Sequence, residues 1–158
     1  MSVPCCGDIV SLSELVDALN YEFESGEDDL PGRVRNIMER YEGDPEEWTK
    51  FCYYDEFRYT RNLVEKNKHY VLLLLCWGPK QQSPIHDHAG SNCWLRVMRG
   101  NLEETMYDYK EDVHPEARAT HLYHEGQISY INGSSLCLPS PRPLVHTLYQ
   151  LFVCLCCG

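Results

Sequence analysis

The stretch Ser83-Pro-Ile-His-Asp-His-Ala-Gly-Ser-Asn-Cys-Trp94 places two of the chain's seven histidines one residue apart, with a cysteine five positions after the second. Residues i and i+2 of a β-strand point to the same face. On a strand, His86 and His88 would aim their imidazoles at one spot while Asp87 would point away. Two imidazoles on a common face favour a transition-metal site, which needs one or two further ligands.

Composition and charge restrict the class of protein. The chain has 158 residues, enough for one domain, and a net charge of −10. That charge argues against nucleic-acid or anionic-membrane partners, because both favour clustered Lys and Arg. The apolar run 70–77 is too short to cross a bilayer and is typical of a buried strand. Since no N-terminal signal pattern is visible, we expect a cytosolic protein whose nine cysteines remain thiols.

The N-terminal third is predicted to be helical. Ser11 and Glu14 fit a capping box at the start of a helix with apolar residues at helical spacing. A second periodic segment follows, and the pair Asp44-Pro45 predicts the start of a third, short helix. We expect these helices within residues 11–51 of a single domain that spans residues 1–158.

From residue 52 to residue 132 the pattern changes to short strands separated by turn signals. Six strands are expected, at 57–62, 70–77, 93–98, 102–109, 120–123 and 127–132. Many short strands at close spacing favour a sandwich or a closed barrel, here with the helices packed at one end. After residue 125 the only charged residue is Arg142. We interpret residues 133–158 as a divergent tail that does not continue the polar–apolar alternation of the strands before it.

The spacing of the motifs points to a known family. One spacing resembles the first cupin motif, with cysteine where most cupins have glutamate. It consists of Gly78, seven residues, His86-Asp-His88, four residues, Cys93, six residues and Gly100. Together with further segments, the chain resembles the animal-type cysteine dioxygenases over roughly residues 12–132. These segments are YEGDPEEW (41–48), YTRNL (59–63), LLCWG (74–78), RGNLEET (99–105) and SYIN (129–132). The resemblance implies a mainly β, jelly-roll-like cupin barrel that is incomplete at its C-terminal end.

The resemblance also implies roles for the matching residues. It implies an Fe²⁺ site that includes His86 and His88, where L-cysteine and O2 give cysteine sulfinate in cysteine catabolism towards taurine and sulfate. Arg61 matches the residue that binds the substrate carboxylate, a task that suits a forked guanidinium. Tyr59 matches a tyrosine of the same pocket. The expected partners are L-cysteine and O2 only, with no nucleic acid and no membrane, and the chain is expected to be a monomer.

Cys93 matches the cysteine that animal members join to a tyrosine by a thioether bond. Taken alone, such a residue is more often a small buried hydrophobic group. Strand alternation would put Cys93 on the face opposite His88, so residues 89–92 must contain a bulge or turn that resets the alternation. The position of Cys93 in the pocket therefore follows from the resemblance and not from periodicity.

The resemblance weakens after residue 132. The position expected to hold a third iron-binding histidine is Leu138. His146 is an alternative ligand if a proline-rich loop brings it to the metal, and Tyr149 would then approach Cys93. Two imidazoles alone would hold iron weakly, so the alternative function is a catalytically impaired cupin-like splice or truncation variant. The cysteines at 154, 156 and 157 leave acylation or zinc binding of the tail open as well.

Overall fold

The computed structural model describes residues 7–26, 28–88, 90–108, 115–132, 136–141 and 148–155, and in the last two segments the side chains of Pro139 and Phe152. The helical elements are α1 Leu12–Ser25, α2 Leu30–Arg40, α3 Pro45–Trp48 and a 3₁₀ turn Thr49–Phe51. The strands are β1 Thr60–Lys66, β2 Tyr70–Trp77, β3 Cys93–Arg99, β4 Asn101–Asp108, β5 Glu116–His124, β6 Ile128–Ile131, β7 Leu136–Pro141 and β8 Leu148–Leu155. Within the described residues, no helix is long and apolar enough to cross a membrane.

The helices begin where their capping residues predict. The Ser11 hydroxyl accepts a hydrogen bond from the Glu14 N–H at 3.1 Å, and the Glu14 carboxylate accepts one from the Ser11 N–H at 3.0 Å. The Asp44 carboxylate accepts a hydrogen bond from the Glu46 N–H at 2.8 Å and so caps α3. All three helices predicted within residues 11–51 are therefore present.

The eight strands form two antiparallel sheets. The larger sheet has the strand order β1-β2-β8-β3-β6 and the smaller one has the order β5-β4-β7. No described strand pair joins the two sheets by hydrogen bonds, so they face each other without closing into a barrel. The prediction of a mainly β architecture with short N-terminal helices and sheets that do not close into a complete barrel is confirmed.

The two faces of the five-stranded sheet pack against different layers. On its helix face, Leu72 and Leu74 of β2 join Trp94 of β3 in a buried cluster with α1 and α2. On the opposite face, the pocket face, Leu75 and Trp77 of β2 pack towards the three-stranded sheet. This division follows from the period of two in a strand, since neighbouring side chains point to opposite faces.

The first strand begins later than predicted. The sequence predicts a strand at 57–62, whereas β1 is Thr60–Lys66. The Asp55 carboxylate accepts hydrogen bonds from the N–H groups of Phe57 at 2.8 Å and Arg58 at 3.2 Å. These bonds hold the backbone in a turn, and the chain can enter the strand only after it.

Residues 133–158, interpreted from the sequence as a divergent tail, include the strands β7 and β8. β8 lies in the middle of the five-stranded sheet, between β2 and β3. Its sequence, LYQLFVCL, is a nearly continuous apolar run, which hides the alternation that would reveal a strand. β7 is an edge strand of the smaller sheet, and an edge tolerates Pro139 and Pro141 because the missing N–H is not needed on the outer side.

Candidate active site

A cavity of about 260 Å³ lies on the pocket face of the five-stranded sheet. Four of the five site residues predicted from the sequence line it, namely Tyr59, Arg61, His86 and His88. The fifth, Cys93, lies behind one of these histidines. The structure therefore brings together residues from the segment before β1, from β1 and from the connection between β2 and β3.

The connection that carries the two histidines is not a strand, and Asp87 lines the cavity with them, so the strand geometry in which Asp87 points away does not apply. Its described residues are irregular, and His86 forms only an isolated bridge. Pro84 offers no N–H to a neighbouring strand, while the Ser83 N–H donates to the Pro139 carbonyl at 3.2 Å. The two imidazoles nevertheless meet, with ring centroids 5.0 Å apart and ring planes at 51°. The shared site thus arises from an extended loop and not from sheet pleating.

The surroundings of His86 favour the neutral imidazole that a metal requires. Its Nδ1 lies 2.8 Å from the Pro84 carbonyl oxygen. Because a carbonyl only accepts hydrogen bonds, Nδ1 carries the proton and the lone pair is on Nε2. Burial lowers the pKa of His86, electrostatic interactions with His88 and Arg61 add to the effect, and the Pro84 carbonyl and Asp87 oppose part of it. The ring is therefore prepared to donate Nε2 electrons to a cation.

Cys93 contacts the second histidine of the pair. Its Sγ lies 3.2 Å from Nδ1 of His88, which leaves Nε2 of that ring for other partners. A turn precedes Cys93, because the Ser91 N–H donates to the His88 carbonyl at 2.8 Å and Gly90 has a φ of +80°. Only glycine adopts such a φ readily. The turn allows β3 to begin with Cys93 on the same face as His88.

Tyr59 and Arg61 form a prearranged pair at the other end of the cavity. An Arg61 guanidinium N–H donates to the Tyr59 hydroxyl oxygen at 2.7 Å, and the guanidinium carbon lies 5.4 Å from the centre of the Tyr59 ring. The Tyr59 ring stacks on Trp77, with centroids 4.0 Å apart and planes at 11°. Stacking and hydrogen bonding together hold the Arg61 guanidinium next to the cavity.

The sequence reasoning missed two aromatic rings of the cavity wall. Trp77 ends the apolar strand β2, and its contact with Tyr59 follows from the β1–β2 register, which pairs Thr60 with Cys76. A register of this kind predicts contacts between side chains only once the two strands are known to pair. Phe152 also lines the cavity, but it comes from β8, where no sequence pattern indicated a strand.

A third metal ligand does not emerge from the described residues. They contain no group of three or more His, Cys, Asp or Glu side chains placed to hold a metal ion. Leu138 lies in β7, where its Cα partner is Thr105, and His146 falls outside the described residues, as do Cys156 and Cys157. The two imidazoles fit a transition metal in chemistry and in proximity.

The expectation that Tyr149 approaches Cys93 is wrong. The Cα partner of Tyr149 on β3 is Arg99, whereas the partner of Cys93 on β8 is Cys154. Five residues of a strand separate the two positions on β8, which is about 17 Å.

Comparison with known proteins identifies relatives over most of the chain. The family model described as "Cysteine dioxygenase type I" matches residues 1–138. Cysteine dioxygenase type 1 of Danio rerio is 38% identical over 128 residues, and that of Homo sapiens is 39% identical over 127 residues. Each alignment covers 78% of this chain and 63% of the relative, so the chain spans less than two thirds of the length of these relatives.

A solved structure with a double-stranded β-helix domain, from Klebsiella pneumoniae, has the same overall architecture. It superimposes with a TM-score of 0.56 at 12% identity and covers 67% of this chain and 79% of that protein. At this identity the likeness concerns the fold alone. Strand β8 lies beyond the residues that the family model matches, although the cavity includes one of its side chains.

Proposed function

Because the chain belongs to the cysteine dioxygenase type I family, we propose that it uses Fe²⁺ and O2 to oxidise L-cysteine to cysteine sulfinate. The proposal rests above all on one cavity that is lined both by the His86–His88 pair and by the Tyr59–Arg61 pair. The first pair suits a metal and the second suits a carboxylate. One thiol and one O2 give one sulfinic acid, with both oxygen atoms on sulfur, so the reaction balances without another reductant.

At the metal end, His86 and His88 would hold Fe²⁺ through Nε2, since Nδ1 of each ring already faces another atom. When bound, the iron supplies positions at which a thiolate and O2 can meet. Cys93 acts as a positioning residue, because its sulfur fixes the Nδ1 edge of the His88 ring. The Pro84 carbonyl does the same for His86.

At the carboxylate end, Arg61 binds the substrate through charge-assisted hydrogen bonds from its planar guanidinium. The Tyr59 hydroxyl accepts its hydrogen bond from Arg61, so its own proton is left to donate to a carboxylate oxygen. Trp77 fixes the plane of the Tyr59 ring by stacking. An amino acid anchored in this way has its thiol directed along the cavity towards the two imidazoles.

The remaining parts of the proposal concern the cellular setting. We propose a cytosolic monomer that takes part in cysteine breakdown towards taurine and sulfate, without nucleic-acid or membrane partners. The net charge of −10 supports this setting, because it repels nucleic acid and anionic lipid surfaces.

The test is anaerobic reconstitution with Fe²⁺, followed by measurement of bound iron and of the cysteine sulfinate formed when L-cysteine and O2 are added. We expect the parent chain to bind iron and form sulfinate, and His86→Ala to lose both. His124→Ala is the matched control, because His124 is exposed on β5 and hydrogen-bonds to Asn101 away from the cavity. A folded, iron-loaded parent chain that forms no sulfinate would refute the proposed activity.

A further inference from the structure

Phe152 reaches the cavity from β8, all of which lies beyond the residues that the family model matches. Its Cα partners are Leu73 on β2 and Leu95 on β3, so its backbone is fixed on both sides in the middle of the sheet. The half-buried side chain packs in the cluster of the pocket face and lines the cavity. A flanked central strand holds such a ring more rigidly than a loop would.

The ring of Phe152 lies against the metal end of the cavity. Its centroid is 6.0 Å from that of the His88 ring, with the planes at 34°. Leu95, which is the Cα partner of Phe152, also lines the cavity, and the two together make an apolar wall behind the histidine pair. A carbon chain that extends beyond the metal end therefore meets hydrocarbon and not solvent.

The sheet fixes how far this wall is from the carboxylate-binding end. Arg61 lies on β1, and β8 is two strands away in the order β1-β2-β8. Two strand spacings amount to about 10 Å. Leu75 on β2 is the Cα partner of Arg61 and forms the floor between the two ends. A ligand held by its carboxylate at Arg61 that extends across β2 therefore approaches Phe152 on β8.

We propose that Phe152 is a specificity-determining residue that limits the size of the thiol this cavity accepts. The inference rests on the proposed function, because it takes the ligand to be a carboxylate-bearing thiol anchored at Arg61. A ring at the end of the cavity admits the one-carbon side chain of cysteine and hinders longer or branched homologues. A smaller side chain at position 152 removes that hindrance.

The experiment compares L-cysteine with L-homocysteine, which is one methylene longer, in the full chain loaded with Fe²⁺. Dissociation constants are measured by calorimetry without O2, and sulfinate formation is measured with O2. In Phe152→Ala we expect the preference for cysteine over homocysteine to fall about tenfold, the usual discrimination by one methylene in an apolar pocket. Phe152→Leu, which keeps more of the cluster packed, should lie between the two.

Leu73→Ala is the matched control. Leu73 is the Cα partner of Phe152 and packs in the same cluster, but it does not line the cavity. A loss of preference in both Phe152 variants and not in Leu73→Ala supports the inference. An unchanged preference in folded Phe152→Leu and Phe152→Ala, or an equal shift in Leu73→Ala, overturns it.

The two readouts separate this inference from the proposed function. If the parent chain binds both thiols and forms no sulfinate, the proposed activity fails, while the dissociation constants still test the role of Phe152. If the folded parent chain binds cysteine and homocysteine equally, the inference fails whether or not sulfinate forms.

Discussion

The helix face and the pocket face of the five-stranded sheet are built from alternate residues of the same strands, yet they have different chemistry. On the helix face Leu72, Leu74 and Trp94 are fully buried among apolar side chains. On the pocket face the apolar residues of β2 lie next to histidine and arginine side chains around a cavity. The comparison suggests that the helix face supplies most of the stability and the pocket face most of the function.

The largest difference is expected between two neighbouring leucines of β2. Leu74 lies on the helix face and is fully buried, whereas Leu73 lies on the pocket face and is partly buried. We expect Leu74→Ala to lower the free energy of unfolding by about 3 kcal/mol and Leu73→Ala by about 1 kcal/mol, because the first leaves a cavity in a packed cluster. Urea titrations of the two variants measure both values. Equal losses in the free energy of unfolding would show that the two faces contribute equally to stability.

The reverse difference is expected for Arg61 on β1. Arg61→Met should weaken binding of L-cysteine by roughly 10- to 100-fold, because it removes a charge-assisted hydrogen bond to the substrate carboxylate. It should change the free energy of unfolding by less than about 0.5 kcal/mol, because the side chain is exposed. Calorimetric binding and urea titration of the same preparation give both values.

Arg58→Met is the control for charge, since Arg58 is exposed and forms an ion pair with Asp55 at 3.6 Å. This variant should bind L-cysteine as the parent chain does. A comparable loss of binding in Arg58→Met would mean that general electrostatic attraction, and not contact with Arg61, retains the carboxylate.

The sequence allowed the helix face to be predicted more completely than the pocket face. The run YVLLLLCW gave the bounds of β2 correctly, and the Ser11–Glu14 capping box marked the start of α1. Both signals are local, because propensity and capping act over a few residues. The start of β1 was missed because one side chain, Asp55, holds a turn that competes with the strand.

The pocket face depends on contacts between residues far apart in the chain. The histidine pair was predicted from its spacing, but the backbone that presents it is a loop and not a strand. Trp77 and Phe152 were missed as cavity residues because their places depend on which strands pair and in what register. No local pattern contains that information, and a nearly continuous apolar run such as LYQLFVCL does not show the alternation of a strand.

The smallest effect on stability is expected for Glu104 on β4. It tests whether a charge is also tolerated between the two sheets. Its side chain is only 1% exposed, and its carboxylate accepts a hydrogen bond from the Ser129 hydroxyl at 2.7 Å. Burial raises the pKa of Glu104 above its ordinary value of 4.5, and the Ser129 hydroxyl and the nearby His121 and His88 offset only part of that rise.

The sign of the pH effect follows from this raised pKa. Between pH 4.5 and the folded-state pKa of Glu104 the folded protein binds more protons than the unfolded chain, so its stability falls as the pH rises through that window. Glu104→Gln keeps an acceptor for Ser129 but cannot ionise. Urea titrations of the metal-free protein from pH 4.5 upwards should therefore show this variant gaining stability relative to the parent chain as the pH rises.

The control Glu103→Gln, on the other face of β4, should show a smaller change. A Glu104→Gln difference that stays constant with pH would mean that the space between the sheets accommodates a carboxylate without cost, and that the contrast between the two faces is one of shape and not of polarity.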